Sequence, residues 1–585
     1  MRPRYLLVAT EGLAPLPPRL ERAAGCASLE RRFKNDRLAV FANASCNVLA
    51  VGDRGCIVGT LFHRHGPAQA VRQLGDADVQ AIVQGGGRTL LGRFWGGYVA
   101  ALDEPAGLKV MRDPSAALPC YMGRAGDHIG FASDAELLVE TGFADGEVDW
   151  DGLAAHLLGS GLPTPGTALR GIRELLPAFV WRHFEDQRPC WSPWDHAADL
   201  HRGDGSAGER LARTIKHCVH AWASTQGRLL ASVSGGLDSS IVAAALAQSG
   251  ADASCLTMYG EDSSGDERPY ARTLCRHLGL PLLERPYELD RIDISEALGT
   301  HLPRPTDRTH ALSYERAHVE VSREIAASAF ITGNGGDSVF GYSHSAAAAA
   351  DRYLAEGLGG GFVTTLRDVS RQTGCGLVRA AAAALRIARG SRAYRWRPDG
   401  LFLSRDIVES LGQLPGHPWL DAPAGALPGK AAHIASLLRM QQCLEPSRSR
   451  ELPVLNPLLS QPVVELCLAV PSWQWRTGGR DRALARRAFA NDLPPAILQR
   501  RVKGGPDGFA ALVLDRFRAQ IRERLLDGHL ARRGIIDRDK VERELAAELS
   551  SAGEERARIL EFVAAEAWID SWLTRAGPVG SAPCG

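Results

Sequence analysis

The feature that most constrains this chain is a seven-residue turn, Ser234-Gly235-Gly236-Leu237-Asp238-Ser239-Ser240, between two apolar runs. Leu229-Leu230-Ala231-Ser232-Val233 before it reads as a buried strand, and Ile241 to Gln248 after it as a helix packed on that strand. Glycines let a backbone turn tightly and approach an anion without Cβ clashes. Free N–H groups and a helix N-terminus then favour negative charge, and three hydroxyls add donors. Asp238 is out of place in an anion site unless a divalent cation lies between it and the phosphate. The turn lacks the GK[ST] ending of a Walker A loop.

Around this turn the chain changes character. Residues 1–185 read as β-rich, with short apolar runs such as Cys56 to Phe62 and Tyr98 to Leu102 between Gly, Asp and Arg turns. Residues 186–208 are polar, carry Pro189, Pro193, Gly203 and Gly205, and read as a linker. Residues 209–585 open with a helix over Glu209–Ser224. Strand Ala253–Met258, helix Pro269–Leu278, helix Glu315–Ala327 and strand Ala329–Thr332 follow. Strands alternating with helices predict a parallel α/β sheet, and beyond residue 345 the pattern is helical.

Charge excludes some functions. Lys+Arg is 68 against 67 for Asp+Glu, a net +1, which gives no general affinity for nucleic acid. The basic stretch Arg476, Arg480, Arg482, Arg486, Arg487 reads as a solvated helix face, with phosphate binding as its other reading. No apolar run reaches the length of a membrane span or a signal-peptide core, so a cytoplasmic location is expected. The 12 cysteines include no CxxC pair and read as reduced, mostly buried thiols. There are six lysines against a large arginine excess, so Lys503 in a loop stands out.

The turn resembles the signature of the PP-loop ATP pyrophosphatases, in the form of the asparagine-synthetase branch. The segment Ile331 to Tyr342, Gly265-Asp266-Glu267-Arg268, Pro457-Leu458-Leu459-Ser460 with Val463-Val464-Glu465, and Arg501-Val502-Lys503 resemble further motifs of that family. The resemblance implies ATP and Mg²⁺, cleavage between the α and β phosphates, and a metal held by Asp238 and Asp337. It places the nucleotide on Ser234, Gly235, Gly236, Leu237, Asp238, Ser239, Ser240, Met258 and Gly333, with Lys503 as the catalytic lysine. Val58 to Phe62, Arg112-Asp113-Pro114 and Phe131 to Asp134 resemble the family's glutaminase domain. The implied fold is an Ntn-hydrolase-like, glutaminase-type β-rich sandwich followed by a PP-loop α/β synthetase domain with a parallel sheet and extensive helices.

Two departures redirect the expected activity. Residue 2 is Arg2, where glutaminases expose an N-terminal cysteine nucleophile, and the nearest cysteine is Cys26. The glutaminase-like domain is therefore expected to be inactive. Asn334 stands where asparagine synthetases carry glutamate and β-lactam synthetases carry tyrosine. Asparagine accepts protons poorly, which leaves Glu445 and Glu451 as candidate bases or as ordinary structural carboxylates. A silent glutaminase on an intact PP-loop domain suits an enzyme whose substrate brings its own amine. In length, missing cysteine and Gly-Asn-Gly-Gly-Asp motif the chain most resembles a lasso-peptide cyclase, a macrolactam synthetase that adenylates a side-chain carboxylate and closes an isopeptide ring on the peptide's N-terminus. That implies a linear precursor peptide as substrate and a leader-binding protein and leader protease as partners, with neither nucleic acid nor membrane. The alternatives are a β-lactam-synthetase-like or asparagine-synthetase-type amidotransferase, a tRNA-modifying PP-loop enzyme, and a non-catalytic peptide-binding scaffold.

Overall fold

In the computed structural model the described residues are 2–10, 17–105, 107–182, 185–198, 206–260, 266–306, 308–501, 507–546 and 553–575. Two six-stranded antiparallel sheets make up the N-terminal part. The first runs Arg173–Glu174, Tyr121–Ala125, His128–Ala132, Tyr5–Thr10, Leu38–Ala42, Glu30–Lys34. The second runs Arg188–Pro189, Phe179–Arg182, Gly107–Arg112, Phe94–Glu104, Gly55–His63, Val48–Ala50. Side-chain alternation assigns the faces. Tyr5, Leu7 and Ala9 meet Cys56, Val58, Val99 and Val110 between the sheets, while Leu6 and Val8 join a separate outer cluster. Tyr5–Thr10 is buried at every position for that reason.

The second half holds a five-stranded parallel sheet, ordered Leu282–Pro286, Ala253–Tyr259, Leu229–Ser232, Ala329–Ile331, Val454–Leu455. The two edge strands escaped the sequence reading, one being mixed in polarity and the other two residues long. From Leu229–Ser232 the chain builds outward on one side and returns to the other. The crevice at this switch point, beyond the strands' C-terminal ends, is where open α/β sheets bind ligands.

The halves are firmly joined. Arg64 pairs with Glu465 at 2.5 Å. Arg112 pairs with Glu174 at 2.8 Å, Arg304 pairs with the same carboxylate, and Tyr121 donates to Glu445. The segment read as a linker, 186–208, is described over 186–198 and 206–208. It carries strand Arg188–Pro189 and helix Pro193–Ala198, and buries Trp191 and Trp194, whose indole N–H groups donate to Glu465 (3.2 Å) and the Trp419 carbonyl (2.9 Å). Residues 199–205 lie outside the described residues, and Ala207 and Gly208 already belong to helix Ala207–Ala223. The C-terminal helix Gly553–Arg575 turns back onto the N-terminal half: Arg558 donates to the Leu157 carbonyl at 2.7 Å and Arg575 pairs with Glu136 at 2.7 Å. No helix among the described residues is long and apolar enough to cross a membrane.

Candidate active site

The seven-residue turn leaves strand Leu229–Ser232 and enters helix Leu237–Ser249, with Gly236 as its extended N-cap. Gly235 has φ +62°, and a Cβ there would lie 2.3 Å from that of Tyr270. Ser240 Oγ donates to the Gly236 carbonyl at 2.7 Å and Ser239 Oγ to the same oxygen at 3.3 Å. The helix N-terminus faces the crevice, so its amides suit an anion.

The second loop, from Thr332, rides directly on the first. A Cβ on Gly333 would sit 2.4 Å from the Ser239 nitrogen, and one on Gly336 would sit 2.3 Å from Asp238 Cγ. Only glycine permits this approach. It brings Asp238 and Asp337 onto one group, in keeping with what the family resemblance implies. Both bind one group, the Arg482 guanidinium: Nη1 lies 3.2 and 2.9 Å from the two Asp238 carboxylate oxygens and also contacts Asp337. Arg482 adopts φ +49°, rare for a side-chain-bearing residue, and Asp481 grips it from behind at 2.7 Å. Burial opposes its charge, but Asp238, Asp337 and Asp481 together hold its pKa above the usual value.

Arg482 corrects the solvated-face reading of the basic stretch. Arg476 and Arg486 are buried, at 3% and 8% exposure. Arg486 clasps Asp481, and Arg476 donates to the Ser343 carbonyl and, at 3.0 Å, to Gln372. These arginines build the rim of the crevice.

Other expected residues fall as follows. Met258 ends in the apolar cluster with Leu230, Leu256 and Phe330, so only its backbone at the strand edge faces the crevice. Lys503, with Val502, lies outside the described residues, as does Gly265. Arg500, the residue before Arg501, is anchored on the turn. Arg500 donates to the Ser234 carbonyl at 3.0 Å, pairs with Glu267 at 2.5 Å and stacks over Tyr270 at 3.9 Å. Asn334 is exposed, its N–H donating to Thr332 Oγ1 at 3.1 Å. The two candidate bases serve elsewhere. Glu445 is committed to Tyr121 and Arg112 at the junction of the halves, and Glu451 pairs with Arg323 at 3.0 Å on the surface. Sequence reasoning missed Arg482, Arg500 and a buried pair at the strand end: Ser232 Oγ lies 2.7 Å from His318 Nε2. With the other ring nitrogen on the Tyr314 carbonyl at 2.8 Å and burial pushing its pKa down to about 3, His318 is neutral and accepts from Ser232.

The family model for asparagine synthase matches residues 210–570, more than half of the chain. The chain belongs to the asparagine synthase family. It is an ATP-dependent carbon–nitrogen ligase of the kind that forms AMP and pyrophosphate. No curated protein matches it at the level of whole sequences. Among solved structures, the allosteric regulatory enzyme of purine biosynthesis aligns at 12% identity over 49% of this chain and 74% of its own, with a TM-score of 0.19. Glutamine phosphoribosylpyrophosphate amidotransferase from B. subtilis aligns at 12% over 57% and 84%, also at 0.19. Scores so low carry nothing further about this asparagine synthase family member.

The family uses ATP, typically with Mg²⁺, and the residues present fit both. The glycine turn and helix N-terminus suit phosphate. Two carboxylates that already share a guanidinium mark a point that demands positive charge. Among the described residues no three His, Cys, Asp or Glu converge as a cage, so a divalent cation between Asp238 and Asp337 would complete its shell with nucleotide phosphates and water.

Proposed function

We propose that this ligase adenylates a side-chain carboxylate of a linear peptide and joins it to the same peptide's N-terminal amine, forming a macrolactam as in lasso-peptide biosynthesis. The observation that supports the reading is the combination of the phosphate cradle around Asp238 with a sandwich into which Arg2 is built. Position 2 is spent on structure: Arg2 pairs with buried Asp134 at 3.1 Å, and its carbonyl accepts from Asn43 at 2.8 Å. Burial would raise the Asp134 pKa, but Arg2 and Arg4 hold it below the usual range. Burial also suppresses nearby thiols, pushing Cys46 up to about 12 and Cys120 to about 11. The N-terminal sandwich is thus a silent glutaminase-like support.

In the reaction a carboxylate oxygen attacks the α-phosphorus and pyrophosphate leaves. The amine then attacks the acyl carbon, AMP leaves, and the ammonium proton passes to solvent or phosphate. Asp238 and Asp337 would hold Mg²⁺, which would supply charge neutralisation on the phosphates. Lys503 balances charge on the pentacovalent phosphorus. The turn amides and the Gly333 loop fix the nucleotide, and the chain's main contribution is orientation of a flexible substrate. A peptide α-amine has a pKa of about 7.7–8.0, so a useful fraction is free base near neutrality. That makes the exposed Asn334, with no carboxylate in its place, tolerable.

The test incubates enzyme, ATP, Mg²⁺ and a candidate precursor, with its leader-binding protein and protease, and follows mass. One water should be lost per AMP and pyrophosphate formed. A precursor acetylated on its α-amine should still be adenylated but should not cyclise. Equal loss of water from the acetylated peptide would eliminate the N-terminal amine as nucleophile.

A further inference from the structure

From Val369 to Pro398 the chain carries seven arginines, Arg371, Arg379, Arg386, Arg389, Arg392, Arg395 and Arg397, and no acidic residue. Without these seven the net charge of +1 would become −6. None of the seven forms an ion pair among the described residues, and all but Arg392, which is half-buried, are exposed. Four of them, Arg371, Arg379, Arg386 and Arg389, belong to a satellite of three helices, Ala347–Glu356, Gly360–Thr373 and Leu377–Arg389, and Arg392, Arg395 and Arg397 follow its last helix. The last turns Ala380, Ala384 and Ala388 inward against Phe362, Leu366 and Val369, which leaves Arg379, Arg386 and Arg389 facing out. On the same helix Val378 is 83% exposed, and Leu358, in the connection between the first two helices of the satellite, is 75% exposed.

The satellite stands on the rim of the active site. Gln372 bonds both Arg476 and the Ser343 carbonyl (3.2 Å), six residues beyond Asp337. A Cβ on Gly479 would lie 2.6 Å from that of Arg371, and Gly479 is three residues before Arg482. A chain bound along the arginines therefore has its continuation beside the phosphate cradle.

We propose that this arginine-lined face docks an acidic stretch of the polypeptide substrate, outside the residues that react. The proposal rests on the reading of the substrate as a peptide. Guanidinium forks match carboxylates, and the exposed Val378 and Leu358 suit apolar side chains between them. A membrane fits poorly, because the helix's apolar stripe is spent on its own core and only a few aliphatic side chains remain for lipid. Nucleic acid fits poorly as well. Trp396 is already engaged, its N–H on the Gly159 carbonyl at 2.9 Å and Arg439 4.4 Å from its ring, and Tyr394 is packed against the core, so no stacking platform is open. Docking one part of a flexible chain raises the effective concentration of the rest at the crevice.

The test uses the full chain without ATP. The probe is a fluorescein-labelled 14-residue peptide with six glutamates and interspersed leucines, read by anisotropy. Comparison probes are the same peptide with glutamine for glutamate, a single-stranded oligonucleotide of equal charge, and phosphatidylcholine–phosphatidylserine vesicles. The glutamate peptide should bind at least tenfold tighter than each of the others. R379E/R386E/R389E, at exposed positions, should lose at least tenfold while its thermal shift with MgATP stays that of wild type. No binding, equal binding by the variant, or preference for oligonucleotide or vesicle would overturn the proposal. No ring closure is read, so the macrolactam reading stands or falls separately with the acetylated peptide.

Discussion

Arg482 holds the position between Asp238 and Asp337 that a bound cation would take, and this sets up a competition with a measurable size. R482M keeps much of the side-chain volume and removes the charge. One nitrogen, Nη1, reaches both Asp238 carboxylate oxygens, at 2.9 and 3.2 Å, between side chains only 12–14% exposed. Charge-assisted bonds of that kind contribute about 1.5–3 kcal/mol. The Asp337 contact involves a carboxylate 52% exposed, which limits it to about 0.2–1 kcal/mol. Asp481 keeps Arg486 as partner and changes little. The metal-free state thus draws about 2–4 kcal/mol from Arg482. If Mg²⁺ displaces the guanidinium, that stabilisation is absent from the metal-bound state. By linkage the variant should bind Mg²⁺ about 30-fold to 1,000-fold more tightly, since 1.4 kcal/mol is tenfold. Calorimetric titration of nucleotide-free protein with Mg²⁺ measures this. Affinity unchanged or weakened in R482M would show that Arg482 does not compete with metal at these carboxylates.

Three further outcomes are expected. K503M should lower the rate of AMP formation by two orders of magnitude or more while the affinity for ATP changes less than threefold, because the charge acts on the transition state; an unchanged rate measured by pyrophosphate release would return Lys503 to the surface. G333A places a Cβ 2.4 Å from the Ser239 nitrogen, so one loop must move at a cost of about 1–3 kcal/mol; pyrophosphate release should fall at least tenfold with the circular dichroism spectrum retained, and a wild-type rate would mean that the loops need not touch. Burial raises the Asp113 pKa to about 6, against the bonds it accepts from Ser115 and Tyr98; its folded pKa lies above its unfolded one, so its contribution to stability is fully present below about pH 4 and lost as pH rises through 6, and denaturant titrations between pH 4 and 7 should show D113N lacking that downward slope.

The legible part of the molecule was the part governed by local rules. Strand, turn and helix around Asp238 follow from apolar runs and two adjacent glycines, and the helix predicted over Pro269–Leu278 is found at Arg268–Leu278. The approach of Asp337 to Asp238 was implied by the family resemblance, and the structure gives its physical cause in Gly333 and Gly336, where a Cβ would clash with the first loop. The illegible part depends on which surface an element meets. Arg482 looked like one charge in a basic run, and nothing local says that it leaves the helix, adopts positive φ and turns into the crevice. Glu445 looked available as a base, yet a tyrosine 324 residues away claims it. Trp191 and Trp194 lay in polar surroundings that suggested a linker, although each had a buried acceptor waiting in the other half.

The return of the last helix onto the first domain has a consequence for biosynthesis. Arg558 and the Leu157 carbonyl are 401 residues apart in the chain, and Trp568 and Trp572 share one apolar cluster with Leu6 and Val8. At about 5–20 residues per second on the ribosome, the nascent N-terminal sandwich waits about 20–80 s for the helix that helps cover its outer face. For that interval it exposes aliphatic surface next to strands, the condition under which chains aggregate. Holdase chaperones should therefore raise the soluble yield of this chain, and a stop codon before residue 553 should send it to inclusion bodies although every residue of the phosphate cradle is present.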